Sequence, residues 1–293
     1  WRGVADFEAR RVDLEFIGQA EALNQAVSRS LFEALYNLDS IGAFFRASQK
    51  VTRAEFAAYT DSLLEESPHL ISLQWVPQVS EKQRTAFEAA AHADGLEGFQ
   101  FTQVRDGNMV PRDPASEYYP VYYCEPLADN EAALGFDLAS ETTRRTAMEN
   151  ARLTGDSAAT GPVKLVQSKE TDPTAVLVFH PITQPRGKQV GFALGVVQVV
   201  TVIEDASDFV QTGNIELFVF DVLTDGERKI HNHLYSSEVG AEGSKKPKMT
   251  EYTKGLHHVG EIQVAGRTWC LVTRPTPAFV AQRQTFYAWA ALV

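Results

Sequence analysis

Residues 5–48, ADFEARRVDLEFIGQAEALNQAVSRSLFEALYNLDSIGAFFRAS, contain no proline and only two glycines, Gly18 and Gly42. The stretch is rich in Ala, Glu, Leu, Arg and Gln, which lose little rotamer freedom in a helix, so it reads as one continuous helix. At 1.5 Å per residue it extends on the order of 65 Å, longer than a helix inside a globular core usually runs. Counted in heptads, Ile17, Leu31, Leu38 and Phe45 share one position and Phe7, Leu14 and Leu35 the other; Arg10, Glu21, Asn24 and Ser28 interrupt the rows. A polar middle with apolar ends fits a stalk that pairs with a copy of itself and packs on the domain beyond it. A long helix packed only on its own chain is the competing reading.

Past this helix the elements shorten. Thr52-Arg-Ala-Glu55 has the form of a capping box, and Ser67-Pro68 ends the helix it opens. Leu70–Val76 reads as a strand, Ser80–Ala93 as a second helix, and Phe99–Val104 alternates as a half-buried strand does. Tyr118–Cys124 is expected to be a strand, and Glu141–Arg152 a helix stopped by Gly155. Strands at 163–167 and 175–181 precede Gln184-Pro-Arg-Gly187, which reads as the clearest internal boundary. The β-branched run Val190–Val200 that follows is expected to be a central strand. A helix at 201–211, a strand at 215–222, a Gly/Lys/Ser-rich loop at 240–248 and a hairpin (260–264 and 268–273) complete the chain. Strands outnumber helices and hairpin-length loops join them. The fold class is therefore α+β, with two mainly antiparallel sheets rather than a doubly wound parallel one.

The 293 residues, 44% of them hydrophobic, suffice for about two domains with proper cores. The 38 acidic against 27 basic residues give a net charge of −11, a field that repels phosphate backbones and argues against a nucleic-acid partner. Cys124 and Cys270, the only cysteines, make neither a disulfide scaffold nor a four-ligand zinc site. No internal run reaches the roughly 18 apolar residues of a membrane span. Phe286–Val293 is wholly apolar and carries Tyr287 and Trp289, as the interfacial start of a span would; a C-terminal core helix is equally compatible.

Nothing in the sequence matches a dinucleotide fingerprint, a P-loop, HExxH, GxSxG or CxxC, which weighs against catalysis. His231-Asn-His233 puts two imidazoles on one strand face with no third ligand nearby, so neither metal nor cofactor is expected. Asp137 follows the apolar run Ala133-Leu-Gly-Phe136 and precedes a helix. Its carboxylate is placed either to accept ligand N–H groups in an aromatic-ringed cavity or to cap the helix beginning near Glu141, a role Ser140 equally fits. Arg144 and Arg145 read as solvent-facing.

Two stretches carry a family likeness: His69-Leu-Ile-Ser-Leu-Gln-Trp-Val-Pro-Gln-Val79 with Arg84 and Phe87-Glu88, and Glu117-Tyr-Tyr-Pro-Val-Tyr-Tyr123 with Glu125-Pro-Leu, Asn130, Ala133–Ser140, Arg144-Arg145, Ala151, Thr154-Gly155 and Gly161. Together they resemble a CHASE domain, the extracellular sensor of histidine kinases and nucleotide cyclases. The likeness is dense over 69–165 and looser to about 275.

The resemblance implies a stalk and dimerisation helix over 1–51, then two tandem PAS-like domains. The membrane-distal one, 52–185, would hold the ligand; the membrane-proximal one, 186–278, would lead into a second transmembrane helix starting at 279–293. It implies a periplasmic or extracellular location, a homodimer, membrane attachment through flanking helices and a cytoplasmic kinase or cyclase as the output. The similar plant cytokinin receptors imply that Asp137 accepts hydrogen bonds from an adenine-like ring and that the Ala159 backbone answers it. Thr160, Gln167 and Ser168 then continue the pocket, and Tyr122 and Phe136 line it. The expected ligand is small and planar, adenine-like or aromatic. A constitutive dimerisation module with an empty pocket is the alternative.

Overall fold

The computed structural model describes residues 2–128, 130–163, 165, 175–184, 189–211, 213–225, 228–237 and 248–284. The C-terminal apolar stretch, nearly all of the 240–248 loop, most of Gln184–Gly187, and Gln167 and Ser168 lie outside the described residues. No described helix is long and apolar enough to cross a membrane.

Helix α1 (Arg2–Ala47) is continuous. Its buried residues Val12, Phe16, Ala20, Leu23, Val27, Leu31, Ala34, Leu38 and Ile41 recur at steps of three and four, one stripe of a straight helix. On the opposite face Phe7, Leu14, Phe32 and Tyr36 are 67–71% exposed. The heptad rows cut across both faces, because a strict seven-residue repeat drifts about 20° per heptad on a straight helix. Leu31 and Leu38 thus lie in the buried stripe, Ile17, Leu35 and Phe45 are half-buried, and Phe7 and Leu14 face solvent.

The chain divides into two compact units, Phe32–Val199 and the residues up to Leu31 together with those from Val200 onward. In the first, α2 (Arg53–Glu66) opens with the expected capping box. The Thr52 amide donates to Glu55 Oε2 at 2.8 Å and the Glu55 amide to Thr52 Oγ1 at 3.3 Å. Next come β1 (Leu70–Pro77), β2 (Val79–Ser80), α3 (Glu81–Ala93), β3 (Thr102–Arg105), β4 (Asn108–Pro111), β5 (Glu117–Tyr118) and β6 (Tyr123–Glu125). The expected strand 118–124 is broken at its middle, where Pro120 has no N–H to give a ladder. A 3-10 turn, Leu138–Ser140, leads to α4 (Thr142–Thr154), which Gly155 stops in the left-handed conformation at φ +77°. Then follow β7 (Ala158–Ala159), β8 (Ala175–Thr183) and β9 (Gln189–Gln198).

The main sheet is antiparallel throughout, in the order β6-β1-β9-β8-β7. On one face Leu177 and Phe179 of β8 and Phe192, Leu194 and Val196 of β9 pack with Phe136, Leu138, Ala147, Met148 and Ala151. On the other, a side chain at Gly195 would sit 3.3 Å from Leu38 of α1, and Phe45 packs on Trp75 with centroids 4.3 Å apart and the rings tilted by 31°. Strand β9 is thus covered on both faces, which explains its unbroken apolar run. Because β9 bonds to β1 and β8, it belongs to the first unit, and the division falls at Val199/Val200.

In the second unit α5 (Val199–Val210), β10 (Ile215–Asp225), β11 (Arg228–Ser236), α6 (Met249–Tyr252), β12 (His258–Val264), β13 (Arg267–Pro275) and α7 (Pro277–Gln284) build an antiparallel sheet in the order β11-β10-β13-β12. The β12–β13 turn has positive φ at Ala265 (45°) and Gly266 (79°), which suits the twist of a tight hairpin. Val12, Phe16 and Ala20 of α1 pack on Ile215 and Phe279. Fully buried Asp221 is gripped by Arg267 through two hydrogen bonds. Both cysteines are free and buried, and burial pushes the Cys124 thiol up to about 11.

Candidate ligand-binding site

The site is built around Gly135-Phe136-Asp137. Gly135 sits at φ +78°, and a Cβ there would lie 2.1 Å from the Gln100 carbonyl oxygen. Its own N–H donates to Val121 O and its carbonyl accepts from the Thr102 amide, both at 2.9 Å. Glycine is therefore required for the chain to thread between these two segments.

The turn delivers Asp137 into the interior with no solvent exposure. Asp137 Oδ1 accepts from the Tyr119 amide at 2.8 Å and the Ala139 amide at 3.2 Å, capping the 3-10 turn; Oδ2 accepts from Arg112 Nε at 2.6 Å. Glu141, not Asp137 or Ser140, caps α4, accepting from the Thr143 and Arg144 amides. The carboxylate is thus satisfied by its own chain: a buried charge paired and fully hydrogen-bonded.

Arg112 is held in turn by Gln103, whose Oε1 accepts from Nη1 at 2.8 Å. Gln103 Nε2 donates to Asp113, which also pairs with Arg105. Two edges of the guanidinium are therefore fixed, and Nη2 has no hydrogen-bond partner among the described residues. Arg112 lines a cleft of about 240 Å³ floored by Tyr119, Met148 and Phe192 and flanked by Ala115 and Ala139. Its lining is charged: Glu117, and Arg145, Glu149 and Arg152 of α4. Met148 and these three occupy positions i, i+3, i+4 and i+7, one face of the helix. Tyr119 Oη donates to Glu117 Oε2 at 2.7 Å, and Gln78 Nε2 donates to Glu117 Oε1 at 2.5 Å, so this carboxylate too is held in place. Burial and then the Glu117 carboxylate raise the Tyr119 phenol pKa, keeping it a donor at any ordinary pH.

The other residues read from the sequence occupy different surroundings. Phe136 is buried in the core under the Arg144 guanidinium, 5.4 Å from its ring centre. Arg144 is itself buried, at 7% exposure, so the solvent-facing reading fits Arg145 alone. Ala159 pairs with Val178 in the sheet, and Thr160 closes around Leu177 through two hydrogen bonds of 2.8 and 3.0 Å. The space near them, lined by Gln74, Phe136, Leu138, Arg144, Leu177 and Leu194 among others, is only about 20 Å³, room for roughly one water. Tyr122 packs edge-on against Phe87 and Phe99 and donates to the Phe87 carbonyl at 3.1 Å, contacts outside both spaces. Arg112, Glu117, Tyr119, Glu149 and Arg152 were not singled out from the sequence. The alternating charges at 145, 149 and 152 are a signal for the two α4 residues alone, and such a pattern ordinarily marks a solvated helix face. Among the described residues no group of three or more His, Cys, Asp or Glu is placed to hold a metal.

Hybrid signal transduction histidine kinase A of Dictyostelium discoideum is 21% identical over an alignment of 282 positions, and the match covers 87% of this chain and 13% of the kinase. The chain thus spans a small part of that relative's length. Among solved structures, an extracellular ligand binding receptor from Desulfohalobium retbaense DSM5692 superposes with a TM-score of 0.55 at 13% identity, covering 88% of this chain and 40% of the receptor. The extracellular domain of rpHK1S-Z16, assigned as a histidine kinase, superposes with a TM-score of 0.52 at 14% identity, covering 93% of this chain and 98% of that domain. These likenesses show a shared fold of extracellular sensor domains. The CHASE domain family model matches residues 49–234. With more than half of its length inside that match, the chain belongs to the CHASE domain family and is a sensor domain rather than a catalyst.

Proposed function

We propose that this chain is the extracytoplasmic sensing domain of a membrane-anchored signalling receptor, and that its ligand enters the Arg112 cleft of the unit Phe32–Val199. The observation that carries the reading is the guanidinium of Arg112. Buried Asp137 and Gln103 fix it, and it keeps one edge unpartnered in a small cleft. A donor positioned in advance costs little to order when a ligand arrives. The cleft volume lies below the roughly 300–1,000 Å³ typical of drug-sized ligands, which suits a small metabolite. The fully engaged Asp137 favours a charged ligand at Arg112 over an adenine-like ring bonded to Asp137 itself.

In this reading α1 transmits the signal. Its Leu38 packs on the central strand β9 of the same unit, and a ligand that binds one arrangement of that packing more tightly shifts the population toward it. The exposed Phe32 and Tyr36 of this unit are where a second copy packs. The output, a kinase or cyclase on the far side of the membrane, belongs to the rest of the receptor.

A second reading, a constitutive dimerisation module without a ligand, is favoured by the 20 Å³ interior under Phe136. A thermal-melt screen against charged and planar metabolites separates the two, with Ala139→Trp as the variant that fills the cleft. A ligand at about 100 times its dissociation constant adds ~2.7 kcal/mol. A shift seen in the wild type and lost in Ala139→Trp supports the sensor; a flat screen with a folded protein supports the module.

A further inference from the structure

The walls of the cleft say more than that its ligand is small. Arg112 is neutralised by Asp137, which leaves Arg145 and Arg152 as cations and Glu117 and Glu149 as anions around the same space. Arg145, Glu149 and Arg152 form no ion pairs among the described residues, although helical spacing puts them within reach of one another. Along the α4 face the signs run plus, minus, plus over about 10.5 Å. Glu117 of the same cleft is fixed by Tyr119 and Gln78. The floor between the charges is apolar, made by Met148 and Phe192 with the Tyr119 ring.

A simple anion would gain from the arginines but be repelled by the two carboxylates that line the same cleft, and a simple cation would meet the reverse. A molecule carrying both signs within a few bonds satisfies each wall at once, with charge-assisted hydrogen bonds at both ends. We propose that the cleft takes a small zwitterion of the free amino-acid kind, its carboxylate on Arg112 and a neighbouring α4 arginine, its ammonium between Glu117 and Glu149, and its side chain on the Met148–Phe192 floor. This rests on the cleft being the sensor's ligand site.

The test is calorimetric titration of the domain with the twenty L-amino acids. The tightest is then compared with its deaminated acid and its decarboxylated amine, on the wild type, Glu149→Gln, Arg145→Gln and Ala139→Trp. Glu149 and Arg145 are exposed helix positions, so these two variants keep the fold. Removing either charged group from the ligand is expected to weaken binding at least tenfold. Glu149→Gln should weaken the zwitterion several-fold without weakening the deaminated acid, and Ala139→Trp should abolish binding. A deaminated acid that binds as tightly as the zwitterion overturns the proposal and leaves the sensor reading intact, as does the failure of all twenty while another metabolite binds in an Ala139→Trp-sensitive way. Amino-acid binding that survives Ala139→Trp unchanged overturns both.

Discussion

Arg112 Nε lies 2.6 Å from Asp137 Oδ2, and the other oxygen of Asp137 is occupied by the backbone amides of Tyr119 and Ala139. One carboxylate therefore fixes three segments: the residue after the β3–β4 hairpin, the residue after β5 and the turn before α4. Removing Arg112 leaves the fully buried Asp137 carboxylate without its counter-charge, and removing Asp137 leaves the Tyr119 and Ala139 amides without their acceptor. Arg112→Ala or Asp137→Ala is expected to cost about 3–5 kcal/mol, read from urea unfolding, and the double variant less than the sum. A loss below about 1 kcal/mol in both single variants would mean that the pair does not organise this region.

The approach of Gly135 to the Gln100 carbonyl makes a second prediction. Gly135→Ala must hold φ near +78° and push a methyl group against a backbone oxygen that has its own neighbours to satisfy. The expected loss is at least about 2 kcal/mol in the same assay. Because the residue directly precedes Phe136 and Asp137, ligand affinity should fall with it.

On α1 the two faces are predicted to respond differently. Leu38→Ala, fully buried against β9, should destabilise the unit by about 2–5 kcal/mol. Phe32→Glu and Tyr36→Glu, on the exposed face, should leave the unfolding midpoint within about 0.5 kcal/mol while lowering self-association in sedimentation velocity. Unchanged association in both glutamate variants would remove this row from the dimer reading.

His180 supplies the pH dependence. It reaches Asp39 of α1 at 3.5 Å through Nε2 and bonds Ser157 at 3.0 Å through Nδ1. Burial lowers its pKa, with Arg46 acting in the same direction and Asp39 and Asp156 opposing. A folded pKa below the unfolded one means that the stability is present above about pH 6.5 and is lost as pH falls through the folded value. The unfolding free energy should therefore decline on acidification below pH 6.5, by at most ~1.4 kcal/mol per pH unit for this one proton. His180→Gln should flatten that part of the profile, and an identical profile in the variant would assign the effect elsewhere.

Much of the fold was legible because its signals are local. The capping box at Thr52 and Glu55, the left-handed stop at Gly155 and the Ala265-Gly266 hairpin each depend on residues a few positions apart, and all three stand in the structure. Gln184–Gly187 has the composition of a linker, and nothing local in it shows that the strand after it pairs with β1, more than a hundred residues earlier. The heptad rows of α1 likewise do not name its buried face. Which face of a helix is buried depends on the sheet it meets, and the stripe followed the straight-helix period. Asp137 stood out because an acid closing an apolar run invites a question. Arg112 did not, since nothing in Met109-Val-Pro-Arg-Asp113 says that its guanidinium meets a carboxylate 25 positions on. The charged α4 face looked solvated because helical spacing cannot show that Tyr119 and Phe192 stand opposite it.

The central claim, that the Arg112 cleft is where this sensor takes its ligand, is tested most directly by a crystal structure of the domain with the tightest compound from the binding screen. The account predicts density between Arg112 and the Arg145–Arg152 face of α4, with an acidic oxygen of the ligand within hydrogen-bond distance of Arg112 Nη2 and Asp137 still paired. Density in the interior between Phe136 and Leu177, or in the groove beside Lys254 and Arg274 of the other unit, with the Arg112 cleft empty, would contradict it.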